Sequence, residues 1–193
     1  VSAKAYMQEH KGTPEANALQ EYMEASRKYH VDLKEYAQHK REMLRVKQQI
    51  RECMQYPEFA LPTYVDTRGR LYYMTDLTPA GTDIARAALQ FSSGVPLGEH
   101  GLMYLKAHLA NCLGYDSTSI ADRAAYVDRC IDRIKIAVGS PIEHADYWGN
   151  ADAPLQAYVA AIDVIGALAS QDSSRYVSRI ITQWDATCSG LQH

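Results

Sequence analysis

Apolar side chains in the first quarter of the chain recur at steps of three and four. Leu19, Tyr22, Ser26, Tyr29, Leu33 and Tyr36 form the series, and Met43, Lys47, Ile50 and Met54 continue it. That spacing lines one face of a helix. Thr13-Pro14-Glu15 supplies a start, with a hydroxyl cap, proline in the first turn and an acid behind it. Pro57 and Pro62 end the pattern. One amphipathic helix is predicted, or two with a break near His30-Val31-Asp32. A single helix of about 40 residues would span about 60 Å, an arm rather than a core element.

The pattern changes after Pro57. Residues 63–76 read as a β-hairpin: Tyr64-Val65 lead in, Asp66-Thr67-Arg68-Gly69 turn, and Leu71-Tyr72-Tyr73-Met74 lead out. A loop through Pro79 and Gly81 follows, then predicted helices at about 82–92 and 99–113, the second stopped by Gly114. Ser119-x-x-Asp122 resembles a capping box. Behind it Ile120, Ala124, Val127, Ile131, Ile134 and Val138 make a clean helical stripe, closed by Gly139 and Pro141. Asp152 and Pro154 open another helix, with Leu155, Val159, Ile162, Ile165 and Leu168 in register. Tyr176 to Trp184 is rich in β-branched and aromatic residues and reads as a strand. The fold class is therefore α+β, predominantly helical, with a helical arm over 1–56 and a second segment over 57–193.

Composition narrows the picture. The hydrophobic fraction of 47% in 193 residues excludes wholesale disorder. No apolar run approaches the roughly 18 residues of a membrane span. The first residue is Val and no signal-peptide core follows, so the natural start is expected upstream. Cys53, Cys112, Cys130 and Cys188 form no CxxC pair and read as reduced thiols. The 14 Tyr against 2 Phe and 2 Trp hint at half-wet contact surfaces. Overall charge is −3, yet Arg27 to Arg51 holds 8 basic against 3 acidic residues, enough to hold phosphates or simply to solvate a helix face.

Two places have candidate chemistry. Asp185 follows the predicted strand and precedes small residues, so its carboxylate can ligate a hard cation or cap a helix. Asp66-Thr67-Arg68-Gly69-Arg70 sets two guanidinium groups around a glycine, a pattern that grips phosphate or simply turns a hairpin. Walker-type loops, GxSxG and HExxH are absent from the sequence. His100 and His108 read as helix-surface or core residues and Cys188 as small filler.

In order along the chain, these pieces resemble the single-subunit DNA-directed RNA polymerases of bacteriophage and mitochondrial type. Phe59 through Tyr72 is similar to that family's hairpin with its DxxGR motif. Pro79-x-Gly81-x-Asp83, Gly94-x-Pro96-x-Gly98, Lys106-x-His108-x-Ala110-Asn111-Cys112, Ser140-Pro141, Trp148 and Asp152-x-Pro154 follow in the family's order. Asp185 to His193 is similar to the polymerase motif A signature DxxCSGxQH.

The resemblance implies a thumb-like arm, then the N-terminal part of a palm with the hairpin and the motif A strand. It implies that Asp185 is catalytic and, with the Ala186 carbonyl, holds Mg²⁺. It implies that Arg68 and Arg70 contact the template strand and hybrid, that Asp66, Gly69 and Tyr72 build the same wall, and that Ser189 and Gly190 line the cleft. DNA template, nascent RNA and ribonucleoside triphosphates would be the partners, and no membrane. Thr67 stands where the family usually has Trp, so stacking by that side chain is lost. The fingers and the second metal-binding Asp are expected from elsewhere, with a second polypeptide of a split enzyme preferred over a cut fragment. These residues alone should be inactive. The expected location is the cytoplasm, of the host cell for a phage gene, ahead of the mitochondrion. The alternative is a non-catalytic nucleic-acid-binding module that uses the arginines and the basic helix without metal. A purely structural helical protein is the third reading.

Overall fold

A computed structural model of the chain describes residue 8 and residues 10–182. It divides into two compact units between Gln48 and Gln49. Helix α1, Pro14–Cys53, runs 40 residues without a break at His30-Val31-Asp32, so the two-helix alternative is not realised. Thr13 starts it: its Oγ1 accepts from the Ala16 N–H at 3.3 Å. The predicted stripe on this helix lies largely in the open, with Tyr22, Tyr29, Leu33 and Tyr36 all at least half exposed.

Past residue 49, strands β1 (Thr63–Val65) and β2 (Leu71–Tyr73) pair antiparallel, Tyr64 opposite Tyr72, as the turn residues predict. Helix α2 (Asp83–Ala88) is shorter than the predicted 82–92. Strand β3 (Gln90–Pro96), which the sequence reading did not predict, takes its place. Gln90, Ser92, Ser93 and Gly94 have little strand propensity of their own, so β3 exists by pairing with a strand some 85 residues later in the chain. That partner is β4, Val177–Ile180, within the predicted 176–184. Gln90 pairs with Ile180, Val95 with Ser178 and Pro96 with Val177, with an irregularity between Gln90 and Val95.

Three helices make the core. These are α3 (Gly98–Cys112), α4 (Ile120–Gly139) and, after the short α5 (Ala145–Gly149), α6 (Pro154–Ala169). The capping box at α4 forms as predicted: the Asp122 N–H donates to Ser119 Oγ at 3.2 Å. The α4 stripe turns inward through Ala124, Val127 and Ile134 to meet Leu105, Leu109 and Ala110 of α3. On α6 the expected face is wrong. Leu155, Ile162 and Leu168 are more than a third exposed, whereas Ala157, Ala160, Ala161, Val164 and Ala167 are fully buried. The helix is apolar nearly all round, so periodicity of the large residues could not choose a face. Small side chains on one face let the helices approach closely, and that face won. Trp148 closes the core, its indole N–H donating to the Ala137 carbonyl at 3.3 Å. Among the described residues no helix is long and apolar enough to cross a membrane.

Candidate functional site

The hairpin tip is built by one carboxylate. Asp66 Oδ1 accepts the backbone N–H of Arg68 at 2.8 Å and of Arg70 at 2.9 Å. The Asp66 N–H donates to the Arg70 carbonyl at 2.9 Å, and the Gly69 N–H to the Asp66 carbonyl at 3.0 Å. Gly69 sits at φ +78°, a left-handed position that closes a short hairpin loop and that a side chain would strain. The other oxygen, Oδ2, takes Arg68 Nε at 3.0 Å. Arg68 Nη2 also reaches the Tyr72 hydroxyl at 3.2 Å, and Tyr72 stacks on Tyr64 across the strands with ring centres 5.5 Å apart. The Arg70 N–H first, and the Arg68 groups after it, hold the Asp66 carboxyl below its ordinary value.

The two arginines are therefore unequal. Arg68 is preorganised: its fork is committed on one side to Asp66 and Tyr72. Arg70 has no side-chain partner among the described residues and its guanidinium is exposed. A planar cation on a rigid turn, two residues from a braced one, is suited to receive a phosphate. Asp66, Arg68, Gly69, Arg70 and Tyr72 are thus brought together. Asp185, Ala186, Ser189, Gly190 and Cys188 lie outside the described residues.

The other family-like fragments turn out to be framework. Asp83, from the Pro79-x-Gly81-x-Asp83 loop, caps α6 from a distance. Its carboxylate accepts the N–H of Leu155 at 2.7 Å and of Gln156 at 3.1 Å, and the Gln156 side-chain amide at 3.0 Å. Lys106 pairs with Asp128 at 2.5 Å, Ala110 is buried, and Asn111 Oδ1 accepts from Arg123 at 3.0 Å. His108 lies 3.8 Å from Cys112 Sγ. Burial lowers the His108 pKa and pushes the Cys112 thiol up to about 11, so the thiol is not a poised nucleophile. His100 is exposed. Asp163, on α6, accepts from the Tyr176 hydroxyl at 2.8 Å and from Ser178 Oγ at 2.5 Å.

No cluster of three His, Cys, Asp or Glu that could hold a metal ion exists among the described residues. Asp66, Asp83 and Asp163 each spend their oxygens on protein donors. Sequence reasoning missed Asp83 and Asp163 as organising groups. The one available signal was Asp163 itself, the sole charged residue in an otherwise apolar helix.

Known proteins similar to this chain give a consistent picture. Residues 95–193 match the family model described as DNA-dependent RNA polymerase. The DNA-directed RNA polymerase of Pseudomonas phage phiKMV is 42% identical over 133 residues, 68% of this chain and 16% of that protein. The mitochondrial DNA-directed RNA polymerase of Schizosaccharomyces pombe is 39% identical over 137 residues, covering 70% of this chain and 12% of the relative. The human mitochondrial DNA-directed RNA polymerase is 36% identical over 137 residues, 70% of this chain and 11% of the relative. The chain thus spans a small fraction of the length of each.

Proposed function

This chain belongs to the DNA-dependent RNA polymerase family of phage and mitochondrial type, and on that footing we propose that it supplies one wall and one catalytic carboxylate of a nucleotidyl-transfer site. Residues 1–56 are the thumb-like arm and 57–193 the first palm segment. Arg70 takes template-strand phosphate directly. Arg68, braced by Asp66 and Tyr72, presents its remaining N–H groups to the same strand. Any sequence must be held, so backbone contact is the appropriate kind. The basic face of α1 offers a second phosphate track. Ser189 and Gly190 line the cleft under the hybrid.

Asp185, with the Ala186 carbonyl, would hold the divalent cation. When bound, that cation eases deprotonation of the primer hydroxyl and shields departing pyrophosphate. The protein's own task is positioning. Template DNA, nascent RNA and ribonucleoside triphosphates are the partners. The relatives are several times longer, so the fingers and the rest of the palm come from further polypeptide. A separate second chain, expected from the sequence, gains no support from these relatives.

The observation that carries this reading is that the polymerase match over residues 95–193 runs through the DxxCSGxQH segment that begins at Asp185. The test is Asp185→Asn in the intact polymerase that contains this chain. Nucleotide addition should fall on the order of a thousandfold, with template affinity kept within about twofold. Normal transcription by that variant would leave the non-catalytic binding module as the better description.

A further inference from the structure

We propose that Asp163, Tyr176 and Ser178 form a clamp that sets the register of the strand leading to Asp185, which makes Asp163 a positioning residue for nucleotide addition. This rests on the function proposed above.

Asp163 is the one charged group of α6, and both its oxygens are used on a single neighbour. Tyr176 Oη donates to Oδ1 at 2.8 Å and Ser178 Oγ to Oδ2 at 2.5 Å. Tyr176 immediately precedes β4 and Ser178 lies within it. Residues two apart on a strand share a face. A one-residue slip would turn both hydroxyls away from the carboxylate, so the pair reads register and not merely proximity. Ordinary apolar packing of helix on strand would not do this.

Two close approaches seat the same strand. A Cβ on Gly166, one turn along α6 from Asp163, would stand 2.7 Å from Tyr176 Oη. A Cβ on Gly94 of β3 would stand 2.7 Å from the Ser178 carbonyl oxygen. The Leu97 N–H donates to the Tyr176 carbonyl at 2.9 Å. Tyr176 and Ser178 are thus gripped from the helix on one side and from β3 on the other. Burial, and the bond to Asp163 after it, push the Tyr176 hydroxyl up to about 12, which keeps it a donor. Asp185 stands seven residues beyond Ser178. A catalytic group displaced by about 1 Å loses up to about a hundredfold in rate. In this proposal the strand so fixed, which ends five residues before Asp185, is the means of aiming it.

The experiment uses Tyr176→Phe and Ser178→Ala in the intact polymerase, each of which removes one hydroxyl and little volume. Each should lower kcat about tenfold while nucleotide KM and template affinity stay within about twofold. Hydrogen exchange of the amides of residues 177–182 should speed up, with exchange in α4 unchanged. The Ser178→Ala change is small enough to read even if Tyr176→Phe folds poorly. Unchanged kcat in Ser178→Ala, or a lowered melting temperature with kcat and KM intact, would overturn the clamp as a positioning device. Asp185→Asn separates the two readings. If it is inactive while the clamp variants retain full kcat, the clamp alone falls; if it is active, both fall.

Discussion

The hairpin tip and the start of α6 are each organised by one aspartate, and they differ in what is left over. At the tip, Asp66 satisfies two backbone amides and one arginine side chain, and the Arg70 side chain remains exposed and unpaired among the described residues. At α6, Asp83 satisfies two backbone amides and the amide of the buried Gln156. The same chemistry therefore leaves an exposed cation in one place and makes a joint in the other. What distinguishes them is a surplus cation held on a rigid turn. Motif resemblance did not separate the two, because both aspartates belong to family-like fragments.

The contrast predicts opposite phenotypes. The largest effect is expected from Asp83→Ala, which strands the Leu155 and Gln156 amides and should cost about 2–3 kcal/mol in urea unfolding. Asp66→Ala, at an exposed turn, should lower the unfolding midpoint much less. Equal losses from the two would abolish the distinction between joint and surface. Next in size, Arg70→Ala in the intact polymerase should weaken template binding about fivefold and reduce the slope of log affinity against log salt by about one phosphate contact. Arg68→Ala should cost about twofold, since that side chain is largely spent on Asp66 and Tyr72. A salt titration in which Arg68 outweighs Arg70 would reverse their assignment.

The smallest effect concerns protons. The Asp66 carboxyl is held below its ordinary value of 3.8, chiefly by the Arg70 N–H. Its contribution to turn order is therefore complete above that ordinary value and is lost as the pH falls through the depressed one. A carboxyl NMR titration should place the Asp66 midpoint under 3.8. A midpoint at or above it would show that the turn bonds are not made in solution.

What could be read from the residues alone was whatever acts over a few positions. The Asp66–Gly69 turn, the Ser119 cap and the start of α1 all follow from local donors, a proline and the left-handed freedom of one glycine, while α6 has only Pro154 in its first turn as a local signal. Helical spacing predicted both α1, with or without a break, and α4, the cleaner stripe, yet α4 buries its stripe and α1 leaves Tyr22, Tyr29 and Tyr36 in the open. Periodicity reports helix, and burial depends on what arrives from elsewhere. The rest needed the assembled chain. Strand β3 has only Phe91 and Val95 to announce it, among Gln, Ser, Gly and Pro, and it pairs with β4. The buried face of α6 was chosen by how closely neighbouring helices could approach its alanines. Asp83 meets its partners 72 residues away in sequence. A carboxylate has no local preference that names a distant amide, so such bonds become visible only when packing brings donor and acceptor into one place.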